Sequence, residues 1–193
     1  MVYLLLGLLI FLGTHSLRIV ADDWRSRAVA RIGLWPWKAL YGLASLAGFA
    51  LIVRGFAQAR LAPVVLWTPP VAMRHLAALL TLVAFVLFVA AYVPANALKA
   101  RLRHPLILSV KVWALAHLLA NGQLVHLLLF GAFLLWAILD FRAARRRDRR
   151  NPPAPLPGSA AGTVATVLAG IAAWAGFALW GHQHLIGVAP LAG

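Results

Sequence analysis

The chain has no cysteine and no glutamate, and its 193 residues include only four carboxylates: Asp22, Asp23, Asp140 and Asp148. Without thiols there are no disulfides, thiolate nucleophiles, iron–sulfur clusters or covalently attached c-type haem. The aspartates all fall at or beyond the ends of apolar stretches, so no paired-carboxylate mechanism is expected inside them. Charge of any kind is scarce, at 11% of residues against 63% hydrophobic. A water-soluble domain of this size cannot hide so much apolar surface, and the same composition excludes disorder. The chain reads as an integral protein of a lipid bilayer.

What charge there is has one sign. Eighteen Lys and Arg give a net +14, but they form short clusters between apolar stretches, as membrane loops do, so no nucleic-acid partner is expected. Six stretches approach the ~20 apolar residues that a membrane span needs: roughly 2–20, 38–56, 75–93, 105–120, 124–140 and 161–181. The fourth and fifth are separated only by Asn121-Gly122-Gln123, good turn chemistry for a tight helical hairpin. Lipid requires each span to satisfy its own backbone, so the expected fold is an all-α, polytopic transmembrane bundle. The first stretch has its arginines after the apolar run and no A-x-A site, so it is expected to be retained rather than cleaved.

Fourteen basic residues lie in the first, third and fifth connections: Arg18, Arg25, Arg27, Arg31 and Lys38; Lys99, Arg101 and Arg103; and six arginines between 142 and 150. Only Arg54, Arg60 and Arg74 lie near the second. This asymmetry places both termini outside. The expected organisation is a five-helix core over 1–141, a basic and Pro-rich cytoplasmic linker over 142–160, and a sixth span with an external tail over 161–193. The sixth span carries Ala165, Ala169 and Ala173 at intervals of four, and Ala172 with Gly176. That spacing suits close helix packing, within the bundle or in an oligomer.

Histidine is the one side chain here able to bind metal or move protons near neutral pH. Ionisable groups at membrane depth are functional candidates by default. His15 lies in the cytoplasmic half of the first span, with Arg18 one turn on. His104 opens the fourth span behind Arg101 and Arg103, and Lys111 shares its helix face, placed to meet an anionic group or to snorkel outward. His117, flanked by Trp113 and Asn121, has no neutralising neighbour in sequence and needs a partner. It lies about 220° round the helix from His104. His75 and His126 belong to the external interface, and His182 and His184 form an H-x-H near the chain's end. Scattered histidines on separate apolar helices suit a cofactor that brings its own equatorial ligands. Haem b held by two imidazoles, with Arg or Lys near its propionates, is such a group.

Several motifs in order carry a resemblance. They are His15-Ser16-Leu17-Arg18, then Ala62-Pro63-Val64-Val65-Leu66-Trp67-Thr68-Pro69-Pro70, then Arg103-His104-Pro105 followed by Lys111, Trp113, Ala116 and His117. Phe130-Gly131, Trp136 and Asp140 complete the set. Together they resemble the NnrU family across nearly the whole chain. The resemblance implies a multi-pass protein of the bacterial inner membrane that supports denitrification, in nitrite and nitric oxide metabolism. More distantly, the chain is similar to the membrane domain of plant-type 15-cis-zeta-carotene isomerase, which has the same thirteen-residue separation as His104 and His117. That likeness implies His15 and His117 as haem b ligands; Arg18, Arg103, His104 and Lys111 are the further cofactor-binding candidates. Arg-His-Pro also resembles membrane methyltransferases, but Leu106-Ile107-Leu108-Ser109 and the lack of Glu depart from their pattern.

On these spans His15 and His117 are offset by roughly 12 Å along the membrane normal at ~1.5 Å per residue. His15 with His104 is therefore the alternative pair. Three functions are expected to compete. The first is a haem protein acting in redox, sensing or assembly, and the second a haem-dependent isomerase or reductase of a lipophilic polyene. The third is a cofactor-free scaffold for a membrane reductase.

Overall fold

A backbone amide in lipid finds no solvent partner, and most of the described residues are accordingly helical. The structure is a computed structural model that describes residues 1–191. Its helices are α1 (Val2–Val20), α2 (Asp22–Ile32), α3 (Leu34–Ala59), α4 (Val71–Tyr92), α5 (Ala97–Leu102), α6 (Pro105–Ala120), α7 (Leu124–Arg150) and α8 (Ala160–Gly176). α8 runs through a π-helical turn, Phe177–Gly181, into α9 (His182–Ile186). α1, α3, α4, α7 and the run Ala160–Ile186 are long and apolar enough to cross a membrane, and α6 is a shorter apolar helix. The six expected spans are these six.

Two connections differ from the expected loops. The first contains α2, whose Asp22 and Asp23 sit at its positive end and Arg31 in its last turn, each favourable to the helix dipole. Gly33, at φ +88°, then turns the chain into α3, a conformation that side chains resist. The second difference is the Arg-rich run 142–150, expected in a linker, which forms the last turns of α7. Ala and Arg are strong helix formers, and the pairs Arg147–Asp140 (3.9 Å) and Arg145–Asp148 (3.7 Å) lie along that helix.

α1 packs on α3 and α7, α6 bridges α7 and α4, and α8 packs on α4. Glycine makes the α1–α3 approach close: a Cβ on Gly7 would sit 2.6 Å from Ile52 N, and one on Gly48 2.7 Å from Phe11 N. On α8 the buried residues are Thr166 and Gly170, and a Cβ on Gly170 would meet Val86 of α4. The alanine stripe 165/169/173 faces outward instead. Glycine allows a closer backbone approach than alanine, so the Gly162–Thr166–Gly170 face wins the contact.

The large apolar core, with Leu4, Leu8, Ile52, Val125, Leu129 and Phe130, lies in the half of the bundle away from the basic connections. The end of the bundle away from the basic connections is capped by the segment 62–70. Leu66 N donates to Gly122 O (2.8 Å), Leu124 N donates to Val64 O (2.9 Å), and Val65 bridges to Gln123. Toward the basic end the buried positions of α6 and α7 are small: Pro105, Ser109, Ala137 and Ala144. α6 also stops there, at Pro105, while α7 continues well past it. The bundle is thus filled at one end and open at the other.

Candidate functional site

The opening is a cavity of about 890 Å³ among α1, α2, α3, α6 and α7, at the end carrying the basic connections. Sites for small organic molecules span ~300–1,000 Å³. α1 contributes His15 and Arg18, α2 Asp22 and Arg25, and α3 Trp37, Lys38 and Tyr41. His104 stands at the start of α6, followed by Leu106, Ile107 and Val110, and α7 supplies Trp136, Asp140, Arg147, Asp148 and Arg150. The α7 set recurs at intervals of four, seven and eight, which places it on one helix face. Apolar and aromatic side chains form the deep wall, and five cations against three carboxylates form the rim.

His15 has a defined orientation. Its Nδ1 bonds to Phe11 O at 2.7 Å, and its ring stacks on Phe11 with centroids 4.2 Å apart. Tyr41 lies 5.2 Å away and Trp136 meets the ring edge-on at 6.1 Å. A carbonyl only accepts, so Nδ1 carries the hydrogen and Nε2 of the neutral ring keeps its lone pair. That atom has no partner within the chain among the described residues.

His104 lines the same cavity but is engaged: its Nε2 lies 2.9 Å from Asp148 Oδ2. Its placement follows from Arg103, whose φ of +63° breaks α5 from α6 and swings the chain toward α7. Arg147 donates to Arg18 O (3.3 Å), so consecutive residues Arg147 and Asp148 tie the end of α7 to α1 and α6. His15 and His104 therefore meet at one cavity, with His15 Nε2 and His104 Nδ1 both lacking a hydrogen-bond partner among the described residues.

His117 lies elsewhere. Its Nδ1 bonds to Trp113 O (2.8 Å), and its ring stacks on Phe130 at 4.4 Å. Between it and His15 runs a packed series in which Phe11 meets Phe133 at 5.8 Å and Phe133 meets Trp113 at 5.6 Å. The structure does not bring His15 and His117 to a common cavity, because these rings fill the space between them. Arg103 and Lys111 are also away from it. Arg103 donates to Pro153 O (3.2 Å), and the Lys111 ammonium sits over the Phe141 ring at 4.8 Å. His182 and His184 bond separately to Val188 O and Trp180 O. His126 packs edge-on to Phe56 with its Nδ1 buried and unpartnered.

No group of three or more His or Asp that could hold a bare metal ion exists among the described residues. The cavity suits a planar prosthetic group better. It offers the free Nε2 of His15, apolar walls, and Arg18, Arg25, Lys38, Arg147 and Arg150 for carboxylates. These residues fit haem b, whose iron His15 would hold and whose carboxylates the rim cations would meet. The reading of single residues missed Trp37, Tyr41, Arg147 and Asp148 as site members. Their signal was the shared face on α7 and the aromatic start of α3. No curated protein and no solved structure matches the chain. The family model described as NnrU protein matches residues 3–190, nearly the whole length, and the chain belongs to that family.

Proposed function

We propose that this membrane protein binds haem b in the cavity at its basic end and supports nitrite and nitric oxide metabolism in a bacterial inner membrane. The observation that carries the reading is His15. Its Nδ1–H is fixed by Phe11 O and its Nε2 is free, in the wall of a cavity of the right size. Arg18, Arg25, Lys38, Arg147 and Arg150 would meet the two propionates. Two strong axial ligands favour electron transfer, whereas one leaves the metal able to bind a small molecule. Ligation by His15 alone, with the His104 ring held by Asp148, would favour sensing among the roles open to the family. His117, stacked on Phe130 outside the cavity, is given a packing role.

The test is a visible spectrum of protein expressed with ample haem. A Soret band is expected in the wild type, lost in His15→Ala and kept in His117→Ala. A colourless wild type, or a band that survives His15→Ala, overturns the proposal. Loss in both variants would restore the two-imidazole arrangement.

A further inference from the structure

α2 has two sides, and the cavity uses only one. Asp22 and Arg25 turn toward the cavity. Trp24, Arg27, Ala28, Arg31 and Ile32 line a separate shallow groove of about 390 Å³. At ~100° per residue Trp24, Ala28 and Ile32 fall within about 80° of arc, with Arg31 and Arg27 beside Trp24 within about 60°. The apolar stripe and the guanidinium stripe therefore run side by side along the helix.

Nothing among the described residues covers this side. α2 buries none of its residues, and Trp24 and Ile32 are 52% and 45% exposed. Other arginines nearby are engaged: Arg18 with Asp22 (4.0 Å) and Arg25 over the Trp37 ring (6.0 Å). Arg27 and Arg31 make no ion pair or hydrogen bond among the described residues. α2 joins the basic ends of α1 and α3, the level at which acyl chains give way to head groups. Tryptophan favours that level, and a helix with this patterning lies in the plane of the interface.

We propose that this side of α2 is a binding site for an anionic phospholipid. Trp24, Ala28 and Ile32 rest against the acyl chains, and Arg27 and Arg31 hold the head-group phosphate. Two unpaired guanidinia side by side suit an anionic head group better than a zwitterionic one, whose ammonium they repel. Trp24 also meets Trp37 edge-on at 6.0 Å, and Trp37 is a wall of the cavity. A lipid bound here thus buttresses that wall from outside.

The site is independent of the haem reading and is tested without reference to it. The full chain is purified in detergent, incubated with phosphatidylglycerol or phosphatidylcholine of the same acyl chains, and examined by native mass spectrometry. Wild type is expected to retain phosphatidylglycerol preferentially, and the Arg27→Gln/Arg31→Gln double variant to lose that preference by about tenfold or more. Arg101→Gln, on the exposed side of α5, is expected to keep it. An unchanged melting temperature of the double variant in lipid-free detergent separates loss of the site from loss of the fold. In that folded variant, an undiminished preference overturns the proposal. So does a wild type that retains both lipids equally.

Discussion

Asn96 is 1% exposed and uses its side chain completely. Its Nδ2 donates to Ala90 O (3.0 Å) and Val93 O (2.6 Å), and its Oδ1 accepts from Lys99 N (2.7 Å). One amide thus closes the end of α4 and caps the start of α5. Asn96→Leu, nearly equal in size, strands two carbonyls and an N–H, at a cost of roughly 1–3 kcal/mol. Asn96→Asp keeps the cap on α5 but sets a buried carboxylate oxygen against the two carbonyls, so its melting temperature is expected to fall below that of Asn96→Leu. A ranking in which Asp melts above Leu would refute this division of roles. At this scale the sequence was informative about cost and poor about partners. His15, His104 and His117 stand out because a polar group in lipid needs satisfaction, and their residue types are visible. Their partners were not visible. Asp148 is forty-four positions from His104, and the carbonyls held by His15 and His117 belong to a backbone whose amino acids carry no signal.

Helices show the converse pattern, in which extent was legible and rotation was not. Apolar length marked all six spans, and Asn121-Gly122-Gln123 marked the hairpin, because bilayer thickness and turn chemistry both act locally. The sequence does not say which face of a helix meets which neighbour. On α8 the alanine stripe was the plainer pattern, yet the glycine-bearing face makes the contact. Gly48 tests this kind of seam. Its absent Cβ is what lets Phe11 N approach, so Gly48→Leu must push α1 from α3, with an overpacking cost of about 1–3 kcal/mol. Because α1 carries His15, the variant is expected to melt lower and, under the haem proposal, to show a weaker Soret band. The clip at the end of α7 gives a second test. His104→Ala removes a part-buried pair worth about 1 kcal/mol, so trypsin should cut within 142–150 roughly fivefold faster. An unchanged cutting rate would mean that Arg147 on Arg18 O holds the segment alone.

For the molecule as a whole, filling and charge run in opposite directions. One end is packed with large side chains and capped by residues 62–70, whereas the basic end holds the cavity, α2 and the overhang of α7. Positive residues that set orientation in the membrane therefore also form the cavity's rim. If they do both, Arg18, Arg25, Lys38, Arg147 and Arg150 must face the cytoplasm, and the cavity must open there. The chain's lack of cysteine makes this directly measurable, since any single introduced thiol is the only one present. Ala62→Cys lies exposed at the packed end, and Ala154→Cys lies exposed between α7 and α8 at the open end. In intact spheroplasts a membrane-impermeant maleimide is expected to label Ala62→Cys. Ala154→Cys should react only after the membrane is permeabilised. The reverse result would turn the cavity away from the cytoplasm, and its arginines would then need another explanation than the one that sets the topology. Equal labelling of both would imply two orientations, which a fourteen-to-three distribution of basic residues opposes.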